Sequence, residues 1–497
     1  MKRVFQWVEQ KGGVLGALLL LAVATDLVCR SVLRAFWFDE LFTVYLARLD
    51  LSVLWNALSA GTDANPPLSY LVTRLFQRWL GESEWATRLP SVIAFVVAVA
   101  FLYRYVARRT GPLLGLSAGL LFCLTGVYFY GAEARPYAMV LGCCSVALWS
   151  WSSRRVFIFG ASLTLAMASH YYALLLLIPF GVGELVYAIQ QRRIRWPIWG
   201  ALAFSALSVV VYLPLLRGVA GQKEGFWSPM AWPAVRGFFS TGFGDAWQIL
   251  LAVGIVCLLS WRRGRTDAAA ANSVCPASEW TALLALLLLP VPAMILGAVY
   301  TNAFVPRYVL PSFLGFSALV ALALQAVFGR ASGWKPAMLL VLIFGFGVIR
   351  LVPTVGELVR YGPRRTAIVD SLWLAGRHGR IGTNQAPIVV ASPMWYPVQV
   401  HYSKPELRKR LVYLADPATA FRFRRINTPD LALLKLACWT ELRVEAYRAF
   451  LSHNGEFFVL HAPGDRFAWL MDQLQQDGRS AVLVGVTNGC QLLLLHP

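Results

Sequence analysis

Asp39 and Glu40 stand in Phe36-Trp37-Phe38-Asp39-Glu40-Leu41-Phe42, just past the first apolar stretch of the chain. Carboxylates wrapped in aromatics where a membrane helix meets water are costly to keep ionised. Partial desolvation raises their proton affinity, which suits a general base. Asp63 and Asn65 sit in Asp63-Ala64-Asn65-Pro66-Pro67-Leu68. The prolines there signal a helix start, and the two polar side chains are placed to line a cavity. Glu133-Ala134-Arg135-Pro136-Tyr137 lies between two apolar stretches with scarcely room for a loop. An arginine fork at that depth can hold a phosphate bidentately while the neighbouring carboxylate orients it. His170-Tyr171-Tyr172 and Pro306-Arg307-Tyr308 complete the set. A cation at the mouth of an apolar groove can grip the phosphate of a lipid whose tail runs down between helices. Each cluster also has a bland reading, as an interfacial charge, a turn-stabilising ion pair, an aromatic belt or a snorkelling arginine. Those readings do not explain why all the clusters fall on one predicted face.

The elements that must position these residues follow from composition. Of 497 residues, 58% are hydrophobic and 14% charged, and apolar stretches near bilayer length recur. The chain reads as an all-α polytopic membrane protein with about eleven transmembrane helices, within a range of roughly ten to thirteen. Expected spans run near 14 to 33, 89 to 106, 112 to 130, 136 to 152, 156 to 170, 172 to 190, 197 to 216, 246 to 261, 280 to 300, 307 to 328 and 336 to 353. The first lacks a convincing cleavage site and is read as a retained helix. Arg104, Arg108, Arg109, Arg154, Arg155, Arg192, Arg193, Arg195, Arg262, Arg263, Arg265, Arg330 and Lys335 mark successive cytoplasmic loops. The amino terminus is then cytoplasmic and the tail outside. This parity requires two crossings between Val156 and Gln191, with a tight turn at His170. The net charge of +20 is accounted for by these loops and the tail. No basic helix or nucleic-acid motif accompanies it.

Two larger pieces do not span. Residues 34 to 88 form a first outer loop, in which Phe42, Val44, Leu46, Leu51, Leu54 and Trp55 suggest amphipathic helices on the membrane surface, roofing a cavity. The membrane domain is placed at 1–353, and 354–497 is read as a C-terminal extracytoplasmic α/β domain. Strands are expected at 388–391, 410–414, 457–460, 481–486 and 491–495, and a helix from Leu431 to Phe450. Of eight cysteines, only Cys438 and Cys490 share the tail, and they could pair if it faces an oxidising compartment. No internal repeat is found.

The acidic pair, Asn65-Pro66-Pro67-Leu68-Ser69-Tyr70, Gly81-Glu82-Ser83-Glu84-Trp85-Ala86-Thr87-Arg88-Leu89-Pro90-Ser91, Glu133-Ala134-Arg135-Pro136-Tyr137 and Pro306-Arg307-Tyr308 together resemble the GT-C membrane glycosyltransferases. The nearest branch is the bacterial one related to protein O-mannosyltransferases and lipid A aminoarabinose transferases, family 39, over roughly the first 330 residues. The resemblance implies inverting transfer of a sugar from a polyprenyl-phosphate donor to a hydroxyl acceptor, protein, lipid or glycan, at the outer face of the inner membrane. It makes Asp39 the base and Glu133 the second catalytic acid. Arg307, Arg135 and His170 would hold the donor phosphate. Glu40, Asp63, Asn65, Tyr137, Tyr171 and Tyr308 are expected to line the substrate cavity. No cofactor is required. Clustered acids could attract a divalent metal, but no closed ligand set appears and none is assigned. A transporter or lipid flippase is the rival reading; it would place polar groups near the midplane, often within inverted repeats.

Overall fold

The computed structural model describes residues 10–219, 225–228, 233–243, 247–248, 251–255, 274–301, 304–328, 334–361, 386–487 and 490–496. Among the described residues, five helices are long and apolar enough to cross a bilayer: Gly12–Leu33, Glu84–Thr110, Tyr171–Gln191, Trp196–Val219 and Trp334–Arg360. Two bent pairs, Pro112–Leu124 with Gly126–Ala132 and Ala277–Leu287 with Pro290–Tyr300, raise the number to seven if each is one span. Three shorter apolar helices, Tyr137–Ser152, Val156–Ser169 and Ser312–Ala326, fall where further spans were expected. The expected span 246 to 261 lies mostly outside the described residues. A helix breaks at His170, whose backbone is extended, and the chain resumes as a 3-10 turn from Tyr171.

The helical run that begins at Trp334 does not stop near residue 353 but continues past the expected domain boundary. A π-type turn at Gly347–Leu351 precedes Pro353, which has no amide hydrogen to give its own turn. The helix absorbs the proline by widening rather than ending.

The first outer loop contains helices Phe38–Arg48, Leu51–Ser59 and Leu68–Leu80. Of the apolar residues expected on the membrane surface, Leu51 is exposed, whereas four others are covered by the chain itself. Phe42, Val44, Leu46 and Leu54 are buried in one core with Ile388, Tyr396, Tyr413 and Leu433 of the tail. An amphipathic face reports only that something covers it, and here another part of the chain does.

The tail is built on a six-stranded sheet in the order β3-β2-β1-β4-β6-β5. The strands are β1 Ile388–Val390, β2 Leu411–Ala415, β3 Val444–Ala446, β4 Phe457–His461, β5 Ser480–Thr487 and β6 Cys490–His496. β3, β2, β1 and β4 are parallel, and β6 and β5 are antiparallel to their neighbours. Alternation along β1, β2 and β4 gives each strand two buried faces. Ile388 and Tyr413 face the outer loop, whereas Val389, Val412 and Val459 face helices carrying Phe450 and Leu474. The expected helix 431–450 is in fact Thr428–Ala437, then β3, then Tyr447–His453. A short strand at a parallel edge carries too little pattern to reveal itself in sequence. Cys438 and Cys490 are both free thiols, so the expected pairing is not formed.

Candidate active site

Asp39 and Glu40 occupy the first turn of helix Phe38–Arg48, and a rotation of about 100° per residue sends them in different directions. Asp39 lines a cavity of about 340 Å³, where its Oδ2 lies 2.6 Å from Arg307 Nη2. That contact is an ion pair without the alignment of a hydrogen bond, and Arg307 Nε also has no hydrogen-bond partner among the described residues. The two side chains are 16% and 15% exposed. Arg307 is held among the rings of Trp37, Tyr137 and Trp227, with its guanidinium carbon 5.7, 5.5 and 5.3 Å from their centres. Aromatic faces favour a cation without consuming its donors.

Glu40 does not line the cavity, contrary to expectation. It is fully buried and accepts two hydrogen bonds from Arg88, at 2.7 and 2.6 Å. The amide of Ala134 donates to it at 2.7 Å, and that of Trp37 at 3.3 Å. Arg88 spends its remaining donors on the carbonyls of Ser31, Arg34 and Ala35. This pair joins the end of the first span, the outer loop and the Glu133 turn. Arg88 was present in the quoted motif, but a buried arginine's partner cannot be read from one sequence.

Asp63 lines the cavity and pairs with Arg135, at 2.6 and 3.2 Å. It also accepts from Tyr70, Asn65 and the Ala64 amide. Burial alone would raise its proton affinity, but the Arg135 charge and these hydrogen bonds prevail and hold it below the usual carboxylate range. Arg135 donates further to the Asp39 carbonyl at 3.0 Å. Arg135 is thus largely committed to the scaffold, and Asn65 is buried behind Asp63 rather than on the cavity wall.

Glu133 is buried beneath the cavity, not in its wall. Its Oε1 accepts from the Trp37 indole at 3.1 Å, and its Oε2 has no partner among the described residues. Burial, reinforced by the nearby Glu40 charge, pushes its carboxyl up to about 8. His170 packs 4.6 Å from the Tyr308 ring, and its Nδ1 accepts from the Tyr172 amide. Burial, with Arg135 and Arg307 nearby, lowers the imidazole to about 3. It is therefore neutral near pH 7, and it lacks the charge expected of a phosphate holder. Tyr308 lines the cavity, while Tyr137 and Tyr171 stand outside its wall, Tyr137 stacked on Tyr308 and Tyr171 packed toward the tail.

The tail joins the 34–88 loop in enclosing the cavity: Met394, Thr428, Pro429, Ala432, Arg466 and Phe467 line it together with Phe38, Phe42, Gly61 and Thr62. Residues 225–228 tie the roof to the bundle. The Gly225 carbonyl accepts from the Asn427 amide at 3.1 Å, and the Ser228 hydroxyl donates to the Phe304 carbonyl at 2.8 Å. Gly225 has φ of +73° and its missing Cβ would meet the Asn427 side chain, so only glycine fits. No sequence signal linked the roof residues to Asp39. Among the described residues no three His, Cys, Asp or Glu side chains converge as metal ligands.

Residues 64–216 match the family profile described as dolichyl-phosphate-mannose-protein mannosyltransferase. The fold is similar to that of ArnT from Cupriavidus metallidurans in the apo state, with a TM-score of 0.58 at 13% identity, over 96% of this chain and 97% of that one. It is equally similar to the crystal structure of ArnT from Cupriavidus metallidurans bound to undecaprenyl phosphate, with a TM-score of 0.56 at 12% identity and the same coverage. No curated protein matches the sequence. At such identity the likeness establishes the fold, which is the GT-C fold of a multi-pass membrane protein that the motifs implied.

Proposed function

We propose that this chain transfers a sugar from a polyprenyl-phosphate donor to a hydroxyl acceptor, with inversion, in the cavity between the membrane bundle and the tail. The observation that carries this reading is the Asp39–Arg307 ion pair in the cavity wall, which sets a carboxylate against a caged cation with unused donors. The matched mannosyltransferase profile and the undecaprenyl phosphate bound to a protein of the same fold support it.

A carrier phosphate is already a good leaving group. The protein must take a proton from the acceptor hydroxyl as it attacks and neutralise charge on the departing phosphate. In the resting state Arg307 and Asp39 neutralise each other. A donor phosphate that binds Arg307 draws it away from Asp39, and the released carboxylate is then able to accept the hydroxyl proton. The acceptor oxygen attacks the anomeric carbon from the face opposite the carrier, the C–O bond to phosphate breaks, and the freed phosphate keeps its charge against Arg307. Asp63 fixes Arg135, which in turn holds the Asp39 carbonyl and thereby the first turn of the helix. Glu133 acts as a positioning residue through the Trp37 indole, and His170 supports Tyr308. The roof residues of the tail meet the acceptor. The arginine-rich loops expected on the cytoplasmic side support a cavity on the outer face of the inner membrane, with the amino terminus in the cytoplasm.

The test is transfer of radiolabelled sugar from a synthetic polyprenyl-phosphate donor by the purified full chain, with analysis of the released lipid. Appearance of polyprenyl monophosphate with an inverted glycosidic product supports the reading. Translocation of the intact donor across vesicles without bond cleavage would overturn it in favour of a flippase.

A further inference from the structure

Away from the cavity, three arginines meet where a helix breaks. The helix Pro112–Leu124 bends by 79° into the 3-10 turn Gly126–Ala132, which leaves carbonyls without helical partners. Arg350 donates to the carbonyls of Cys123, Leu124 and Thr125, at 3.2, 3.1 and 2.8 Å, the last of which also accepts from the Tyr128 amide. Arg30 donates to Asp26 at 2.8 Å and to the Arg350 carbonyl at 2.6 Å. The guanidinium carbons of Arg350 and Arg30 lie 5.0 and 5.8 Å from the Tyr128 ring, and that of Arg34 lies 4.2 Å from the Phe129 ring.

Capping explains only part of this arrangement. Among the described residues, Arg34 donates no side-chain hydrogen bond, and the Nη1 groups of Arg30 and Arg350 have no partner. Asp26, which also accepts from Tyr128, is the one carboxylate hydrogen-bonded within the group. Glu40 is nearby but already neutralised by Arg88, and Glu133 favours its protonated form. Two positive charges are therefore left over. Burial, with the charge of Arg88, lowers the proton affinity of Arg34, as expected of a cation lacking a counter-anion. Arg30, Arg34 and Arg350 are each partly exposed, and the apolar side chains of Val348 and Val352 beside Arg350 are exposed as well, so the cluster is accessible at the bundle surface. It lies near Arg88, at the end of helix Glu84–Thr110 opposite the basic loop at Arg108 and Arg109.

We propose that Arg30, Arg34 and Arg350 form a second site, outside the Asp39 cavity, for the phosphate monoester of a membrane lipid. The surplus of two positive charges matches a monoester, which carries roughly −1.5 to −2 near neutral pH, better than the single charge of a phosphodiester. Planar guanidinium groups with unused donors suit its oxygens. The site does not depend on sugar transfer.

Native mass spectrometry of the full chain in detergent tests this with polyprenyl monophosphate, phosphatidic acid, phosphatidylglycerol and phosphatidylethanolamine as probes. Arg307→Ala removes the cavity's phosphate holder, and both monoesters should still bind that variant. Adding Arg34→Gln should weaken them by about tenfold, the loss of one charge-assisted hydrogen bond. Arg34→Lys should recover part of the affinity. Arg34 makes no side-chain hydrogen bond and gives up only its stacking on Phe129, so thermal melting should shift little, and that measurement controls for misfolding. Polyprenyl monophosphate bound tighter than phosphatidic acid identifies the carrier lipid; equal binding identifies the headgroup alone, and both support the site. Affinity indifferent to Arg34, or phosphatidylglycerol bound as tightly as the monoesters, would overturn it.

Discussion

Asp39 and Glu40 are neighbours in sequence, and each faces an arginine, yet the two pairs are opposites. Glu40–Arg88 is sealed, with both side chains at 0% exposure and nearly every donor and acceptor committed. Asp39–Arg307 faces a cavity, is poorly aligned and leaves donors unused. A buried pair with all its valences met serves as a structural tie, and breaking it exposes an uncompensated charge. A loosely met pair at a cavity wall can exchange one partner for a ligand. The difference between scaffold and chemistry lies in satisfaction, not in residue type.

The sharpest way to break this contrast is Asp39→Asn. Transfer should fall by about 10²–10⁴-fold, the usual worth of a general base, with little change in melting temperature. Full activity would remove Asp39 from the chemistry. Glu40→Gln should do the reverse: loss of one partner of a buried pair costs about 3–5 kcal/mol, read as a lower melting temperature or yield. The fraction that folds should keep its turnover number. Arg307→Ala comes next, with donor affinity reduced on the order of tenfold to a hundredfold in a titration of polyprenyl-phosphate sugar. An unchanged donor dependence would pass the role to another cation, for which Arg466 of the roof is the candidate.

The smallest effect concerns Glu133 and pH. An unfolded glutamate ionises near its ordinary value of 4.5, while the folded carboxyl keeps its proton up to about 8. Between those limits the folded state binds more protons, so this group's contribution to stability falls as pH rises. Melting temperature measured across that window should decline less in Glu133→Gln than in the parent. Identical slopes would show that Glu133 is ionised in the fold and remove its protonated, positioning role.

The positions of most apolar helices, and five of the six strands, were legible because burial leaves a period or an apolar run in the sequence. The clustering of Asp39, Asp63, Arg135 and Arg307 was legible as well, since charges at span ends are rare and their side follows from span parity. Strand Val444–Ala446 was not, being too short to carry a pattern, and neither was the run through Pro353, where a local widening overrides a residue that usually ends helices.

What the sequence determined by itself was a membrane bundle with carboxylates and guanidiniums at one end and a mixed tail, because hydrophobic length and charge placement are properties of single segments. Only the tertiary structure decided which acid is a tie and which is open, that His170 is neutral, that much of the outer loop's apolar face is covered by the tail, and that the tail joins that loop in enclosing the cavity. Those outcomes depend on partners drawn from segments far apart in the chain. Pairing, burial and proton affinity are set by what surrounds a group in space, and no stretch of sequence carries that information alone.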